Sequence, residues 1–313
     1  MRCKLNNGTI VDVPWQIHDG AYVPACTVCA KMRETRASAI TIPPTKQLIY
    51  YGFVGPDQSP KGEPCIDYEN GTVHAYYGDW TNTYIAPIMT SIIGAGEDGP
   101  NSPAVQRFLN TGVNLLGYVQ SDRLDRWDQY MLSPYSGVFI DEFIAGHDDP
   151  AAIAKILSLP GEKLYLWLGI GWNTNLEDFR SLLDVVLPHG CYWCPEYYLN
   201  TDEPDLMASL QTKLIDRMQQ FATMYPQYLS KCIPTLVIAD EYDDNPNADW
   251  MACLDLQVRV VATNSVFANT GGICCWTSYK TTAERLHWWA ALMQHYFVEK
   301  KTDLLCPRPL SPS

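Results

Sequence analysis

The sequence predicts an α/β fold, a (β/α)8 TIM barrel with a small β-rich N-terminal appendage. Three observations lead there. Eight apolar, strand-like runs follow one another between Leu48 and Ser278, amphipathic stretches at helical spacing separate most of them, and the links are short. Strand–helix alternation over short links means parallel strands joined by right-handed crossovers, and eight such units use the roughly 250 residues of a barrel. An open doubly wound sheet would need a glycine-rich phosphate turn after its first strand, and none follows it here.

Residues 1–45 do not share this pattern. The turn pairs Asn7-Gly8 and Asp19-Gly20 break them into short fragments, and Pro43-Pro44 marks a boundary. The expectation is therefore an appendage over 1–45 and a barrel over 46–313. Strands are predicted at Leu48–Val54, Tyr84–Ile92, Val113–Val119, Val138–Phe143, Leu164–Ile170, Cys191–Tyr197, Ile233–Ala239 and Gly272–Ser278. Helices are predicted at Pro103–Asn110, Leu124–Leu132, Pro150–Leu157, Leu176–Val186, Pro204–Tyr228, Asp249–Val261 and Thr282–Glu299. The first connection, Pro56–Thr83, is rich in Gly, Pro and aromatics and has little helical period.

Composition narrows the function. A hydrophobic content of 47% in 313 residues indicates a substantial core. The formal net charge of −13 argues against a nucleic-acid partner, which would demand a basic footprint. No stretch reaches the roughly 18 uncharged apolar residues of a membrane helix, so no membrane partner is expected. The N-terminus Met1-Arg2-Cys3-Lys4-Leu5 has no hydrophobic signal region. Synthesis in the cytoplasm is the expectation, with release by lysis or carriage on a virus or phage particle as the route to an external polysaccharide. Oligomeric state stays open.

The eleven cysteines fall into two groups. Cys191, Cys194, Cys232, Cys253, Cys274 and Cys275 sit in apolar strand or helix contexts and read as reduced core residues. Cys26-Thr27-Val28-Cys29 has zinc-knuckle spacing, and Cys3 with Cys65 (or His18) would complete four ligands for a structural zinc; free thiols or a disulfide are the alternatives. Catalysis needs no cofactor on this reading.

Active sites of such barrels lie at the C-terminal ends of the strands. Asp141 and Glu142 close the fourth predicted strand, Trp172 and Asn173 follow the fifth, Glu196 closes the sixth, Asp240 and Glu241 follow the seventh, and Trp276 ends the eighth. Charges are costly to bury, so carboxylates that end apolar strands mark a polar cleft. Carboxyl pairs flanked by aromatics suit glycosidic cleavage, with ring faces stacking on sugars. The six histidines are scattered without metal spacing, and no lysine closes a strand cleanly enough for a Schiff base. Adjacent strand residues point to opposite sides, so Asp141 and Glu142 cannot both be equivalent over a sugar; Glu142 is expected to turn in where the strand frays, with Asp141 deeper.

The segments Asn114-Leu115-Leu116-Gly117-Tyr118-Val119, Arg123 and Gly137-Val138-Phe139-Ile140-Asp141-Glu142 resemble the spherulin-4-like glycoside hydrolases, relatives of the endo-α-1,4-polygalactosaminidases. The resemblance covers about residues 84–200 and departs from the family at Ile93–Pro100, where an Asn-Pro and Gly-Pro-Gly loop would stand. It implies a TIM barrel acting on a galactosamine or N-acetylgalactosamine polysaccharide, with Asp141, Glu142 and Glu196 as the acidic site. Tyr118, Arg123, Trp172, Asn173, Asp240 and Trp276 are the candidate substrate contacts. Glu196 is assigned as proton donor, and Asp141 or Glu142 as the charged partner.

Overall fold

The computed structural model describes residues 46–51, 84–93, 109–143, 150–168, 176–199, 205–238, 249–277 and 283–305, and the backbone of short ribbons before and within the first connection. Eight strands form one sheet: β1 Gln47–Tyr51, β2 Ser91–Ile93, β3 Asn114–Gln120, β4 Tyr135–Asp141, β5 Leu164–Leu168, β6 Tyr192–Pro195, β7 Thr235–Val237 and β8 Gly272–Trp276. All pair in parallel in chain order, and β8 returns to β1. The ring closes between β6 and β7 through parallel bridges at Trp193–Cys232 and Glu196–Thr235. Two backbone bonds of 2.8 Å make that seam, Ile233 N–H to the Trp193 carbonyl and Tyr197 N–H to the Thr235 carbonyl. The fold is a closed (β/α)8 barrel.

Strand periodicity divides the core into two. Ile49, Ile93, Leu116, Phe139, Tyr165, Trp167, Cys194, Ile233, Val237 and Cys274 form one apolar cluster inside the ring. Their neighbours Leu48, Tyr50, Ile92, Leu115, Val138, Ile140, Leu164, Leu166, Trp193, Leu236, Ile273 and Cys275 are buried on the other face, beneath the helices. Residues two apart share a face, so this frame determines which carboxylate enters the barrel. Gly117 is on the outer face of β3, where an added Cβ would stand 2.0 Å from the buried Tyr130 ring. No larger residue fits there without displacing the helical segment after β3.

The helices carry the expected end signals. These are α1 Pro150–Ser158, α2 Arg180–His189, α3 Asp216–Met224, α4 Trp250–Thr263 and α5 Ala283–Met293. Asp249 caps α4 by accepting the Ala252 N–H at 3.1 Å. Gly190, at φ 101°, ends α2 in the left-handed conformation that costs glycine little. Leu124–Met131 is a 3-10 helix, and Leu206–Ser209 leads into α3 through a π-helical stretch at Leu210–Ile215.

Several boundaries differ from expectation. The run predicted as a strand from Tyr84 begins instead as a helical turn, with the Ile88 and Met89 N–H groups both donating to the Ile85 carbonyl at 3.0 Å. Only Ser91–Ile93 pairs. Tyr84, Ile85, Ile88 and Met89 are buried, and a short apolar run looks the same whether it is a strand or a buried turn. β4 stops at Asp141 rather than Phe143, because Glu142 adopts φ 52°. In the N-terminal segment Arg2–Lys4 pairs antiparallel with Ile10–Asp12, and Trp15–His18 with Ala21–Pro24. Within the first connection Cys65–Ile66 pairs with Val73–His74. The predicted helix at Pro103–Asn110 falls largely outside the described residues.

No described helix is long and apolar enough to cross a membrane. Cys191, Cys194, Cys232, Cys253, Cys274 and Cys275 are buried free thiols. Burial pushes Cys191 up to about 12 and Cys253 up to about 11, so neither ionises near neutrality.

Candidate active site

Asp141 is the last residue of β4 and shares the inner face with Phe139. Its carboxylate is held by three donors. The Tyr118 hydroxyl donates to Oδ2 at 2.7 Å, the Tyr51 hydroxyl donates to the same oxygen at 3.3 Å, and the Glu142 backbone N–H donates to Oδ1 at 2.8 Å. Tyr118 comes from β3 and Tyr51 from β1, so three strands converge on one carboxylate. Burial holds the Asp141 carboxyl above its ordinary range; the Tyr118 and Glu142 N–H bonds pull it back, the Glu142 charge raises it, and the Tyr51 bond opposes that.

Glu196 follows β6 at the seam, on the face shared by Tyr192 and Cys194. No described side chain hydrogen-bonds its carboxyl. Its pKa rises to about 7, first through burial and then through the negative charges of Asp141 and Glu142. Burial and like charge raise both carboxyls of this inner rim, but only Asp141 has donors that oppose the rise. Separated environments of this kind are how a site assigns one carboxyl to donate a proton and another to stay charged.

Glu142 is exposed, at a backbone conformation uncommon for a side chain with a Cβ. The Ser121 hydroxyl donates to its carbonyl at 2.8 Å, and its own N–H is bound to Asp141. The strand turns aside here, leaving Glu142 exposed and Asp141 half-buried.

Aromatic rings line the same end. Tyr51 stacks on Tyr118 at 5.5 Å and 20°, and meets Trp167 edge-on at 4.5 Å and 88°. Trp276, half-buried at the end of β8, stacks on Tyr198 at 5.7 Å and 17° and lies 6.3 Å from Trp167. Arg123 is an exposed residue of the turn after β3 and takes no part in the Asp141 network. Trp172, Asn173 and Asp240 lie outside the described residues. Sequence reasoning named Asp141, Glu142, Glu196, Tyr118 and Trp276 but missed Tyr51, Trp167 and Tyr198. Alternation from Ile49 carries the signal for Tyr51, since it is the next inward residue and ends its strand.

The opposite end is built for closure. Lys46 precedes β1, and its pKa is lowered to about 8 by burial, against the raising influence of Cys232. That shift alone would suggest a nucleophilic amine, yet Nζ donates to the Phe267 carbonyl at 2.8 Å and to Thr270 Oγ1 at 3.0 Å, at the barrel's N-terminal end. Its bonds tie β1 to the α4–β8 connection, which is a stability role. Among the described residues no group of three or more His, Cys, Asp or Glu could hold a metal. Of the proposed zinc ligands, Cys3 and Cys65 are described only as backbone in short ribbons, and Cys26 and Cys29 lie outside the described residues.

No family model matches the sequence, and no curated protein matches it. Solved structures similar in shape include an endo-β-N-acetylglucosaminidase from Cordyceps militaris, 11% identical over 86% of this chain and 95% of that one, with a TM-score of 0.48. A truncated 3-deoxy-D-arabino-heptulosonate 7-phosphate synthase from Thermotoga maritima is 11% identical over 81% and 86%, with a TM-score of 0.45. A glucosidase from Croceicoccus marinus is 12% identical over 80% and 68%, also at 0.45. Their chemistries differ from one another, and the reading of this site rests on its own geometry.

Proposed function

We propose that the protein is a glycoside hydrolase, endo-acting on an amino-sugar polysaccharide of the galactosamine or N-acetylgalactosamine type. The observation that carries the reaction class is the contrast between Glu196, with a pKa of about 7 and no donor among the described side chains, and Asp141, with three. The substrate class comes from the likeness of Gly117-Tyr118-Val119 and Gly137-Val138-Phe139-Ile140-Asp141-Glu142 to the spherulin-4-like hydrolases.

In this mechanism Glu196 gives its proton to the glycosidic oxygen as the bond to the anomeric carbon breaks. The electron pair leaves with that oxygen, and positive charge builds on the ring. Asp141, whose donors favour its charged form against burial, either bonds to the anomeric carbon or stabilises the oxocarbenium-like state. Water then attacks the anomeric carbon while Glu196 takes one of its protons, and any bond to Asp141 breaks with its electron pair returning to the carboxylate. Glu142 adds negative charge at the rim, which helps to keep Glu196 protonated. Trp276 and its neighbours offer flat faces to sugar rings.

Reducing ends released from a panel of purified glycans, including acetylated and deacetylated galactosamine polymers, test the proposal. Cleavage within the chain of at least one amino-sugar polymer is expected. Binding of these polymers without release of reducing ends would instead make the protein a carbohydrate-binding barrel.

A further inference from the structure

We propose that Tyr118 and Tyr51 are positioning residues that hold Asp141 as the ionised carboxylate and leave one defined lone pair of it, on Oδ1, for the substrate. The inference rests on the reading of Asp141 as the charged partner and adds how that state is kept. A carboxylate oxygen offers about two lone-pair directions. On Oδ2 both are occupied, by the Tyr118 hydroxyl at 2.7 Å and the Tyr51 hydroxyl at 3.3 Å. Among the described residues Oδ1 accepts only the Glu142 N–H, at 2.8 Å. The remaining acceptor direction is therefore on Oδ1, and that atom is the one able to face an anomeric carbon.

The two rings hold the hydroxyl oxygens beside Asp141. Tyr51 is wedged between the stacked Tyr118 ring, the Phe139 ring at 5.2 Å and the edge of Trp167. Ring packing thus fixes both donors, the condition for a carboxylate to be preorganised rather than solvated. Burial acts in the other direction. It raises the pKa of Asp141 and those of both tyrosines, so the hydroxyls stay protonated and remain donors throughout the working range. Among the described residues, the titratable groups facing Asp141 are Tyr51 from β1, Tyr118 from β3, Glu142 beside it and Glu196 from the end of β6. Of these, only the tyrosines favour its charged form.

The sign follows. Hydrogen bonds to a charged form stabilise that form, so loss of a donor raises the Asp141 pKa. Tyr118→Phe removes the shorter bond and keeps the ring, and Tyr51→Phe removes the longer one. With protein carrying 13C-carboxyl aspartate, the Asp141 signal (identified by its absence from Asp141→Asn) is followed through a pH titration by NMR. Its midpoint is expected to rise by about one pH unit in Tyr118→Phe and by less in Tyr51→Phe, the scale of a charge-assisted hydrogen bond. Unchanged midpoints in both variants would overturn the proposal. So would a Tyr118→Phe enzyme whose KM rises while the acidic limb of kcat/KM stays in place, because that marks Tyr118 as a substrate contact only. The titration needs no substrate. It therefore decides this inference even where no glycan is cleaved, an outcome that would count against the hydrolase reading alone.

Discussion

Glu196→Gln is expected to lose at least about two orders of magnitude in the rate of reducing-end release, the usual loss on removing an acid–base group, and to gain stability at alkaline pH. The first effect follows from the missing proton. The second follows from linkage. A carboxyl whose folded pKa is raised from 4.5 to about 7 binds more protons folded than unfolded between those values. Its effect is thus destabilising once pH rises through that window, by up to about 3 kcal/mol above pH 7. Glutamine is neutral at every pH and removes the cost. Scanning calorimetry of the two proteins at pH 5 and pH 8 should show a higher Tm for the variant at pH 8 and little difference at pH 5. An equal shift at both would mean that Glu196 is not the buried, protonated group described here.

Asp141→Asn should be at least as damaging to activity, by about two orders of magnitude or more. The asparagine amide carries one acceptor oxygen and one NH2 donor. With its oxygen toward Tyr118 and Tyr51, its NH2 meets the Glu142 N–H; flipped, the NH2 meets two hydroxyls. In the flipped orientation the amide oxygen accepts the Glu142 N–H and the NH2 can donate to a tyrosine hydroxyl oxygen, so the shape is kept while the charge is lost. Loss of the Asp141 charge also removes one of the repulsions that raise Glu196, so the alkaline limb of residual activity should move to lower pH. The pH profile of the residual rate reads that displacement, and an unmoved alkaline limb would count against the influence of Asp141 on Glu196.

Much of this site is legible in the order of residues alone, because a barrel translates chain order into geometry. Strands that end on carboxylates place those carboxylates at one rim, and the period of two sends Asp141 inward beside Phe139. Other features have no local signature. Nothing in Ile140-Asp141-Glu142-Phe143 signals that Glu142 takes φ 52°, since the turn is held by Ser121 from the preceding connection. The stretch Tyr84–Met89 has strand-like composition yet coils, because buried apolar packing satisfies a turn equally well. Alternation from Ile49 sends Tyr51 inward, but only the tertiary meeting of β1, β3 and β4 shows its hydroxyl on Asp141. Closure at the seam between β6 and β7 is likewise a long-range event, invisible to any window along the chain.

The pH dependence of kcat/KM for wild-type protein, on whichever amino-sugar polymer it cleaves, bears most directly on the central claim that Glu196 is the proton donor and Asp141 the charged partner. A bell-shaped profile with its alkaline limb near pH 7, set by Glu196, and its acidic limb set by Asp141 is the expected result. A rate that keeps rising to pH 9, with no alkaline limb, would contradict the assignment of Glu196 as the acid.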